Sequence, residues 1–467
     1  MNFDHATFIS PLTWRYGSDE MRAIWSEQNK RQTMRQVWVA LATAQHGAGL
    51  VTTEQLADLR DQMNNVDIGR AQAFEEVTRH DVMAEIRAYA EQCPVGGGII
   101  HWGATSADIT DNVDVIRVRL ASNLLAKRLR ELLVVFKAQI LATATLPVMA
   151  YTHIQPAEPT TLGYRFAIYA QDLLEDYRRI TSLISSLRGK GLKGAVGTQA
   201  GFQEILDGTD MGPQEMEAIA MKALDLPYYP VASQTYTRQQ DLHVQQVLAG
   251  LAASLHKFAL DFRLLQSPSI GEWAEPFAKN QVGSSAMPFK RNPISSENIC
   301  SLARYLAAMP AVAWDNASQA VLERSLDDSA NRRLMQPESF LIADELLKRT
   351  TRIVSEMSID KVAIQNNLAR YGPFAATERV LMALVTSGAD RQEGHEWLRQ
   401  LSLEAWQVVK SGAENPLPQR IEDDERIRRF LSASHIKRLM DVSAYTGTAE
   451  TRAKGMATDI SAVLGQG

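Results

Sequence analysis

Apolar residues recur at steps of three and four along most of the chain, which is the spacing of one face of an α-helix. The clearest series lies between Asp111 and Leu146, and it returns between residues 244 and 265. The first series consists of Val113, Ile116, Leu120, Leu124, Leu125, Leu129, Leu132, Phe136 and Ile140. The spacing predicts two helices that are much longer than the average helix of a globular protein.

Three further long helices are predicted at 160–187, after Pro293, and at about 339–357. Long helices bury their apolar faces against one another in bundles. Because alternating β patterns are sparse, we predict an all-α fold with a central long-helix bundle between two smaller helical ends. The predicted domains are an N-terminal helical domain (1–106), a central long-helix bundle (107–359) and a C-terminal helical domain (360–467).

The amino-acid composition limits the kinds of molecule that the protein is expected to bind. Apolar residues make up 45% of the 467 positions and charged residues 22%, as in ordinary globular proteins, and the formal net charge is −5. An acidic balance disfavours binding to nucleic acid or to an anionic membrane. The chain has only Cys93 and Cys300, no leader-like start and no long apolar run. We therefore expect no signal peptide, no membrane span and a reducing, cytoplasmic location.

Four polar stretches interrupt the helices, and the first is "GATSADITDN", Gly103–Asn112. It stands just ahead of a predicted helix, so Thr110 or Asp111 is expected to cap free N–H groups. Thr105 and Ser106 would then lie upstream of the cap, where their hydroxyls would be free to bind an anion.

The second and third stretches also adjoin long helices. "YTHIQPAEPTT", Tyr151–Thr161, is predicted to be a polar turn that holds His153 beside Thr152. A loop histidine is more often simply exposed than catalytic, and both interpretations stay open. "SQTYTRQQD", at 233–241, precedes a helix and is most simply a cap.

The fourth stretch, "QVGSSAMPFKRNPISSE" at 281–297, cannot continue a helix and is rich in donors. Pro293 suits the first position of a helix, with Asn292 as its cap. That arrangement would place a positive helix end beside Lys290 and Arg291. Such a field would favour the ionised form of a nearby serine such as Ser284, and the flanking Gly and Met-Pro suit a loop that closes over a substrate.

The stretch "GSSAMPFKRNP" resembles the signature loop of the fumarase/aspartase superfamily of lyases. "GATSADITDN" and "THIQPAEPTTLG" are similar to the other two motif regions of that superfamily, in the same order. Five more stretches resemble the adenylosuccinate lyase family within it: "SPLTWRYGSDEM", "TRHDVMAEI", "GTQAGF", "SQTYTRQQDL" and "LERSLDDSANRR". The likeness extends over nearly the whole chain.

The resemblance implies a β-elimination in purine biosynthesis that releases fumarate. The substrates of the family are adenylosuccinate, which gives AMP, and the succinyl-carboxamide ribotide SAICAR, which gives AICAR. The resemblance also implies no metal and no organic cofactor. It implies three mostly helical domains, a homotetramer built on the long helices, and active sites that are each shared between three chains.

The resemblance also implies roles for individual residues. Ser284 matches the general base and His153 the general acid, while His80 matches a second histidine that orients the substrate. Lys290 matches a catalytic donor, and Glu297 is expected to orient His153. The positions that match substrate-binding residues are Arg15, Tyr16, Arg79, Asp81, Thr105, Ser106, Thr152, Gln234, Asn292, Asn298, Arg324, Ser329 and Arg333.

The chemistry agrees with these residue types. Removal of a proton beside a carboxylate places charge on that carboxylate, so donors such as Lys290, Asn292, Thr105 and Ser106 are needed there. Arginine forks such as Arg324 suit a phosphate. Asn298 departs from animal-type sequences, which carry a basic residue at this position.

Two alternatives remain. A superfamily lyase or cycloisomerase acting on a substrate without phosphate would have no need of Arg15, Tyr16, Arg79 and Arg324. A non-catalytic helical structural protein would have no reason to place donors in four separate helix-breaking loops.

Overall fold

The computed structural model describes residues 6–278, 280–283, 286–287 and 289–465. Ser284 and Ser285, the predicted base and its neighbour, lie outside the described residues. Within the described ranges, no helix combines the length and the apolar character needed to cross a membrane.

Helices account for most of the described chain. Those of the first 266 residues are α1 Asp19–Trp25, α2 Glu27–Gly47, α3 Thr53–Gln62, α4 Ile68–Thr78, α5 Asp81–Gln92, α6 Ser106–Thr143, α7 Leu162–Ser186, α8 Ala200–Ile205, α9 Pro213–Ala223 and α10 Gln239–Gln266. Those that follow are α11 Ile294–Ala307, α12 Met309–Ser318, α13 Ser329–Glu356, α14 Lys361–Thr386, α15 Arg391–Lys410, α16 Leu417–Asp423, α17 Glu425–Arg428, α18 Ala433–Met440 and α19 Ala449–Val463.

Strands are short and form antiparallel pairs. β1 Pro147–Thr152 pairs with β2 Gln155–Thr161, and β3 Trp273–Ala274 pairs with β4 Ser358–Ile359. The all-α prediction is therefore confirmed, because these pairs are minor additions to a helical chain. The long helices predicted from periodicity correspond to α6, α7, α10, α11 and α13.

Two predicted helix boundaries are wrong. Helix α6 begins at Ser106, so Thr110 and Asp111 lie within its first turns and do not cap it. Thr105 and Ser106 consequently lie at the start of the helix and not upstream of it. Helix α13 begins at Ser329 and contains Pro337, whereas the predicted helix began only after that proline.

The stretch at 151–161 is a β-hairpin and not the predicted irregular turn. Thr152 pairs with Gln155, which leaves His153 and Ile154 as a two-residue turn. Both turn residues have positive φ, 53° and 61°, as a type I′ turn requires. Asn and Gly are the usual residues of such a turn, so the sequence gives no ordinary hairpin signal here.

The chain divides into two compact units. Unit 1 comprises residues 1–129, 176–253 and 301–348. One of its apolar cores packs α2 against α8 and α9, with Leu41, Phe202 and Met216 almost fully buried. This core carries the loop 189–199, which contacts the start of α6.

Unit 2 comprises residues 130–175, 254–300 and 349–467. Aromatic rings form one of its cores, in which Phe166 stacks on Trp273 at 5.1 Å and Phe136 meets Phe258 edge-on at 5.5 Å. Beside these rings, Arg165 pairs with the fully buried Glu272 at 3.0 Å and donates to the carbonyl of Met149. Arg165 therefore fixes strand β1, which carries the hairpin turn.

Candidate active site

The "RHD" stretch of unit 1 forms the tight connection between α4 and α5. Arg79 ends α4 in the left-handed conformation, with φ of 52°, and His80 is the N-cap of α5. The backbone N–H of Met83 donates to Nδ1 of His80 at 3.2 Å. Neutral His80 consequently carries its proton on Nε2, and its half-exposed ring can donate from that atom.

Asp81 links this connection to α13. Its carboxylate lies 3.0 Å from the Arg333 guanidinium and 3.8 Å from the Lys30 ammonium. Burial opposes ionisation, but these two cations, together with the N–H of Val82 and the nearby His80, outweigh it and lower the pKa of Asp81. Three predicted substrate-binding residues, Arg79, Asp81 and Arg333, are thus brought to one region of unit 1.

The Arg15–Tyr16 loop is anchored on the same helix. The N–H groups of Gly17 and Ser18 donate to the carboxylates of Glu345 and Asp344, at 3.0 Å and 2.6 Å. Gly17 has φ of +80°, and an added Cβ would lie 2.9 Å from the side chain of Leu341, so a larger residue would displace the loop. Arg15 itself remains exposed.

The start of α6 is held by a buried carboxylate. Asp108 accepts from the N–H of Thr105 at 2.9 Å, from the Lys190 ammonium at 2.6 Å and from the N–H of Lys193 at 2.9 Å. Thr105 and Ser106 are partly exposed, so this network orients their backbone while their side chains remain accessible.

Gln234 and Arg324 occupy neighbouring loops of unit 1, and Ser329 follows the second of these loops. The N–H of Gln234 donates to the carbonyl of Glu323 at 3.2 Å, and Ser329 begins α13. The Arg324 guanidinium donates to Asp328 at 2.7 Å. Burial opposes ionisation of Asp328, but the Arg238 guanidinium and other nearby cations lower the pKa of its carboxyl group.

Unit 2 carries the predicted acid. His153 stands exposed at the tip of the β1–β2 hairpin, next to the exposed Thr152. A positive φ at a histidine in a two-residue turn is strained, and such strain is frequent at functional sites.

The predicted cap of α11 is wrong. The helix begins at Ile294, and the carboxylate of Glu275 accepts from the N–H groups of Ser295 and Ser296 at 3.1 Å and 2.6 Å. The side chain of Asn292 donates instead to the carbonyl of Gly283 at 3.1 Å. The positive end of α11 is therefore partly offset by Glu275, and the remaining positive charge of the loop comes from the exposed Lys290 and Arg291.

Glu297 and Asn298 lie in the first turns of α11. The half-exposed carboxylate of Glu297 is 4.0 Å from the Arg263 guanidinium, and Asn298 is partly buried. No hydrogen bond joins Glu297 to His153 among the residues described for a single chain. The expected orientation of His153 by Glu297 stays a prediction.

Across 6–278, 280–283, 286–287 and 289–465, no group of three or more His, Cys, Asp or Glu side chains is arranged to hold an ion.

Three buried residues that support the predicted site were not among those predicted from the sequence: Asp108, Arg238 and Asp328. All three stand inside the stretches that carry the resemblance, "GATSADITDN", "SQTYTRQQDL" and "LERSLDDSANRR". The only signal in the sequence that could have indicated their role was a charged residue within a helical, largely apolar pattern. Such a charge is expected to be buried and therefore to need a partner of opposite charge.

Comparison with known proteins places this geometry in a family. Residues 14–306 match the family model described as "Lyase", and residues 373–455 match "Adenylosuccinate lyase C-terminus". The chain is 39% identical to the adenylosuccinate lyase of Saccharomyces cerevisiae, covering 96% of this chain and 93% of that protein. It is 38% identical to that of Schizosaccharomyces pombe (99% and 96%) and 33% identical to that of Archaeoglobus fulgidus (98% and 99%).

Solved structures share the fold at lower identity. The 3-carboxy-cis,cis-muconate lactonizing enzyme of Pseudomonas putida superposes with a TM-score of 0.85 at 23% identity, covering 97% of this chain and all of that one. The fumarate lyase of Mesorhizobium sp. BNC1 gives 0.81 at 22% identity, covering 96% and 98%. These likenesses confirm the predicted fumarase/aspartase-type helical fold.

Proposed function

The chain belongs to the adenylosuccinate lyase family, and from this premise we propose that it cleaves adenylosuccinate to AMP and fumarate. We extend the proposal to SAICAR, which carries the same succinyl-amino group and gives fumarate and AICAR. Both reactions are β-eliminations, in which one C–H bond and one C–N bond break and a C=C bond forms.

One observation of the structure carries the proposal: the 3.0 Å ion pair between Asp81 and Arg333. It joins the "RHD" and "NRR" stretches, which are 252 residues apart in the chain. Arg79 and His80 immediately precede Asp81 in the chain, and Ser329 lies one helical turn before Arg333 on α13. A cluster of exposed Arg and His side chains around one oriented carboxylate suits the binding of an anionic substrate, and the planar guanidinium matches a phosphate.

The proposed chemistry begins at the carbon beside the succinyl carboxylate. Ser284 removes a proton from this carbon, and the negative charge that develops is spread onto the adjacent carboxylate. Lys290 and Asn292 donate to that carboxylate as its charge grows, with Thr105 and Ser106. The electron pair then forms the double bond of fumarate while the bond to nitrogen breaks.

His153 supplies the proton that the departing nitrogen accepts, so the overall reaction needs no water. The residue is exposed at the hairpin tip, as an acid that must reach a bound substrate requires. Glu297 orients this histidine, and His80 donates from Nε2 to the substrate. Arg15, Tyr16, Arg79, Arg324, Ser329 and Arg333 hold the nucleotide part, while Asp81, Thr152, Gln234 and Asn298 complete the substrate pocket.

We propose a homotetramer located in the cytoplasm, with each active site shared between subunits. Exposed apolar side chains on the long helices support this assembly, for example Leu120 on α6, Ile168 on α7 and Leu264 on α10. Leu120 is 42% exposed and Ile168 50% exposed, which is costly for apolar residues on a helix that stays in water. The division at 106 and 359 into three domains remains part of the proposal.

A substrate comparison tests the function. Purified protein is incubated separately with adenylosuccinate, SAICAR and 3-carboxy-cis,cis-muconate, and the loss of each compound is followed by its absorbance. We expect both nucleotides to be consumed and the muconate to remain. Consumption of the muconate alone would assign the chain to a cycloisomerase and would contradict the proposal.

A further inference from the structure

Two carboxylates and two guanidiniums alternate in unit 1, in the order Asp111, Arg238, Asp328 and Arg324. Arg238 donates to Asp111 through both terminal nitrogens, at 3.0 Å and 3.2 Å, and through Nε to Asp328 at 2.6 Å. The other oxygen of Asp328 accepts from Arg324 at 2.7 Å. We call these four residues the carboxylate–guanidinium chain.

Burial distinguishes one end of the carboxylate–guanidinium chain from the rest. Asp111, Arg238 and Asp328 are only 3%, 5% and 5% exposed, whereas the Arg324 side chain is 22% exposed. Charged groups are buried in proteins only when they are paired, and here each buried charge has its partner. Arg324 is the terminal member, and it alone faces solvent.

The carboxylate of Asp328 is therefore used to hold two guanidiniums, those of Arg238 and Arg324. Asp328 immediately precedes α13, where a carboxylate commonly caps the helix, yet both of its oxygens accept from guanidiniums. A surface arginine normally samples many rotamers, and a fixed acceptor removes much of that freedom. Among the described residues, Asp328 is the acceptor found for the Arg324 guanidinium, so its remaining N–H groups are available to a ligand.

The carboxylate–guanidinium chain also joins the first turns of α6 to two loops, and all three segments carry predicted substrate-binding residues. Asp111 lies in the first turns of α6, which begins at Ser106, and also accepts from the N–H of Tyr236 at 2.9 Å. Arg238 follows the loop of Gln234, whose N–H donates to Glu323, the neighbour of Arg324. The position of the Arg324 guanidinium is thus fixed by hydrogen bonds that lead back to helix α6, and it does not depend only on the exposed loop that carries Arg324.

We propose that Asp328 is a positioning residue that fixes the Arg324 guanidinium for the phosphate of the substrate. The inference rests on the proposed function, in which Arg324 binds the nucleotide. In the proposed site Asp328 does not contact the substrate, and its effect on binding passes entirely through Arg324.

The test uses adenylosuccinate and its 5′-dephosphorylated nucleoside. The ratio of their kcat/KM values, the phosphate factor, measures how much the phosphate contributes to catalysis. Arg324→Ala should lower the phosphate factor by about a hundredfold, because it removes a charge-assisted contact. Asp328→Asn keeps the shape and loses the charge, so it should lower the factor by about tenfold while kcat/KM for the nucleoside changes only slightly.

A double-mutant cycle separates positioning from a general structural effect. In the Arg324→Ala background, Asp328→Asn should cause no further loss of the phosphate factor, because its only route to the substrate is gone. Glu85→Gln is the matched control: Glu85 is fully buried and accepts from Arg31 and Arg35 at 2.9 Å and 2.7 Å. It should lower thermal stability and leave the phosphate factor unchanged.

Several results would overturn the inference. An equal loss on both substrates in Asp328→Asn would make the residue purely structural, and a further loss in the double variant would show a route independent of Arg324. If Asp328→Asn does not fold, Asp328→Glu, which keeps the charge but moves it by one methylene, must show the selective loss instead. Wild-type protein that cleaves neither compound would refute the proposed function itself.

Discussion

The carboxylate of Asp81 and the guanidinium of Arg333 lie 3.0 Å apart, so the start of α5 and the first turns of α13 meet at one ion pair. Arg333 is 63% exposed, and its pairing with Asp81 is consequently worth little as a stabilising contact. The role of the pair is better explained as orienting the Arg333 guanidinium, because Asp81 holds that group close to Arg79 and His80.

Arg333→Ala should therefore affect binding more than folding. We expect KM for adenylosuccinate to rise by about tenfold or more, with a change in melting temperature of only a few degrees. Asp81→Asn should raise KM less, because it loosens Arg333 without removing it. Arg399→Ala is the control, because it deletes a similarly exposed pair with Glu396 at 2.7 Å on α15. Equal kinetic effects in Arg333→Ala and Arg399→Ala would exclude a role for Arg333 in the site.

The assignment of Ser284 as the base predicts a selective loss of chemistry. Ser284→Ala should lower kcat by about a thousandfold or more, as removal of a general base usually does, while circular dichroism and subunit assembly stay unchanged. Ser285→Ala is the natural control, because it removes the adjacent hydroxyl and should keep most of the activity. The reverse ranking of the two variants would move the base to Ser285.

The shared-site proposal predicts complementation between two inactive proteins. His153→Ala and Ser284→Ala should each be nearly inactive alone, and a mixture that is gently unfolded and reassembled should recover a minority of wild-type activity. Recovery is expected because some sites of a hybrid tetramer receive both intact residues from different subunits. If both residues of a site came from one chain, every site would keep a defect. Confirmed subunit exchange without any recovery would therefore refute the shared site.

The partly buried His101 is predicted to make the stability of the protein decrease at acidic pH. The indole N–H of Trp38 donates to Nδ1 of His101 at 3.1 Å, and burial lowers the pKa of His101 from 6.5 to about 4, against the opposing effect of Asp108. The unfolded chain binds this proton more readily than the folded one, so stability falls as the pH drops from about 6.5 towards 4.

His101→Gln should remove that contribution, which is about 2 kcal/mol at pH 5. Thermal unfolding at pH 7 and at pH 5 measures this contribution. From pH 7 to pH 5, the melting temperature of the variant should decrease less than that of the wild-type protein. Glutamine retains an oxygen that can accept from Trp38, so the comparison at pH 7 remains meaningful. An identical loss in both proteins would show that His101 is already protonated in the fold at pH 5.

The helices were predictable from the sequence because periodicity is a local property, as α6 and α10 illustrate. The hairpin at His153 was not, since its turn residues are neither Asn nor Gly and its strands contain proline. The early start of α13 was missed because a helix that is already packed can accommodate Pro337. The pairing of Arg238 with Asp111 and Asp328 depends on contacts 127 and 90 residues apart, which one sequence does not reveal.

The proposed lyase reaction is tested most directly by the mass balance of the products formed from adenylosuccinate. Purified protein, treated with a chelator and supplied with no metal, should form AMP and fumarate at equal rates and in equal amounts, both quantified by chromatography as the substrate disappears. Equal yields without metal are expected because the proposed chemistry uses only side chains of the protein. Absence of fumarate, or activity that disappears with the chelator and returns only when a metal is added, would contradict the account.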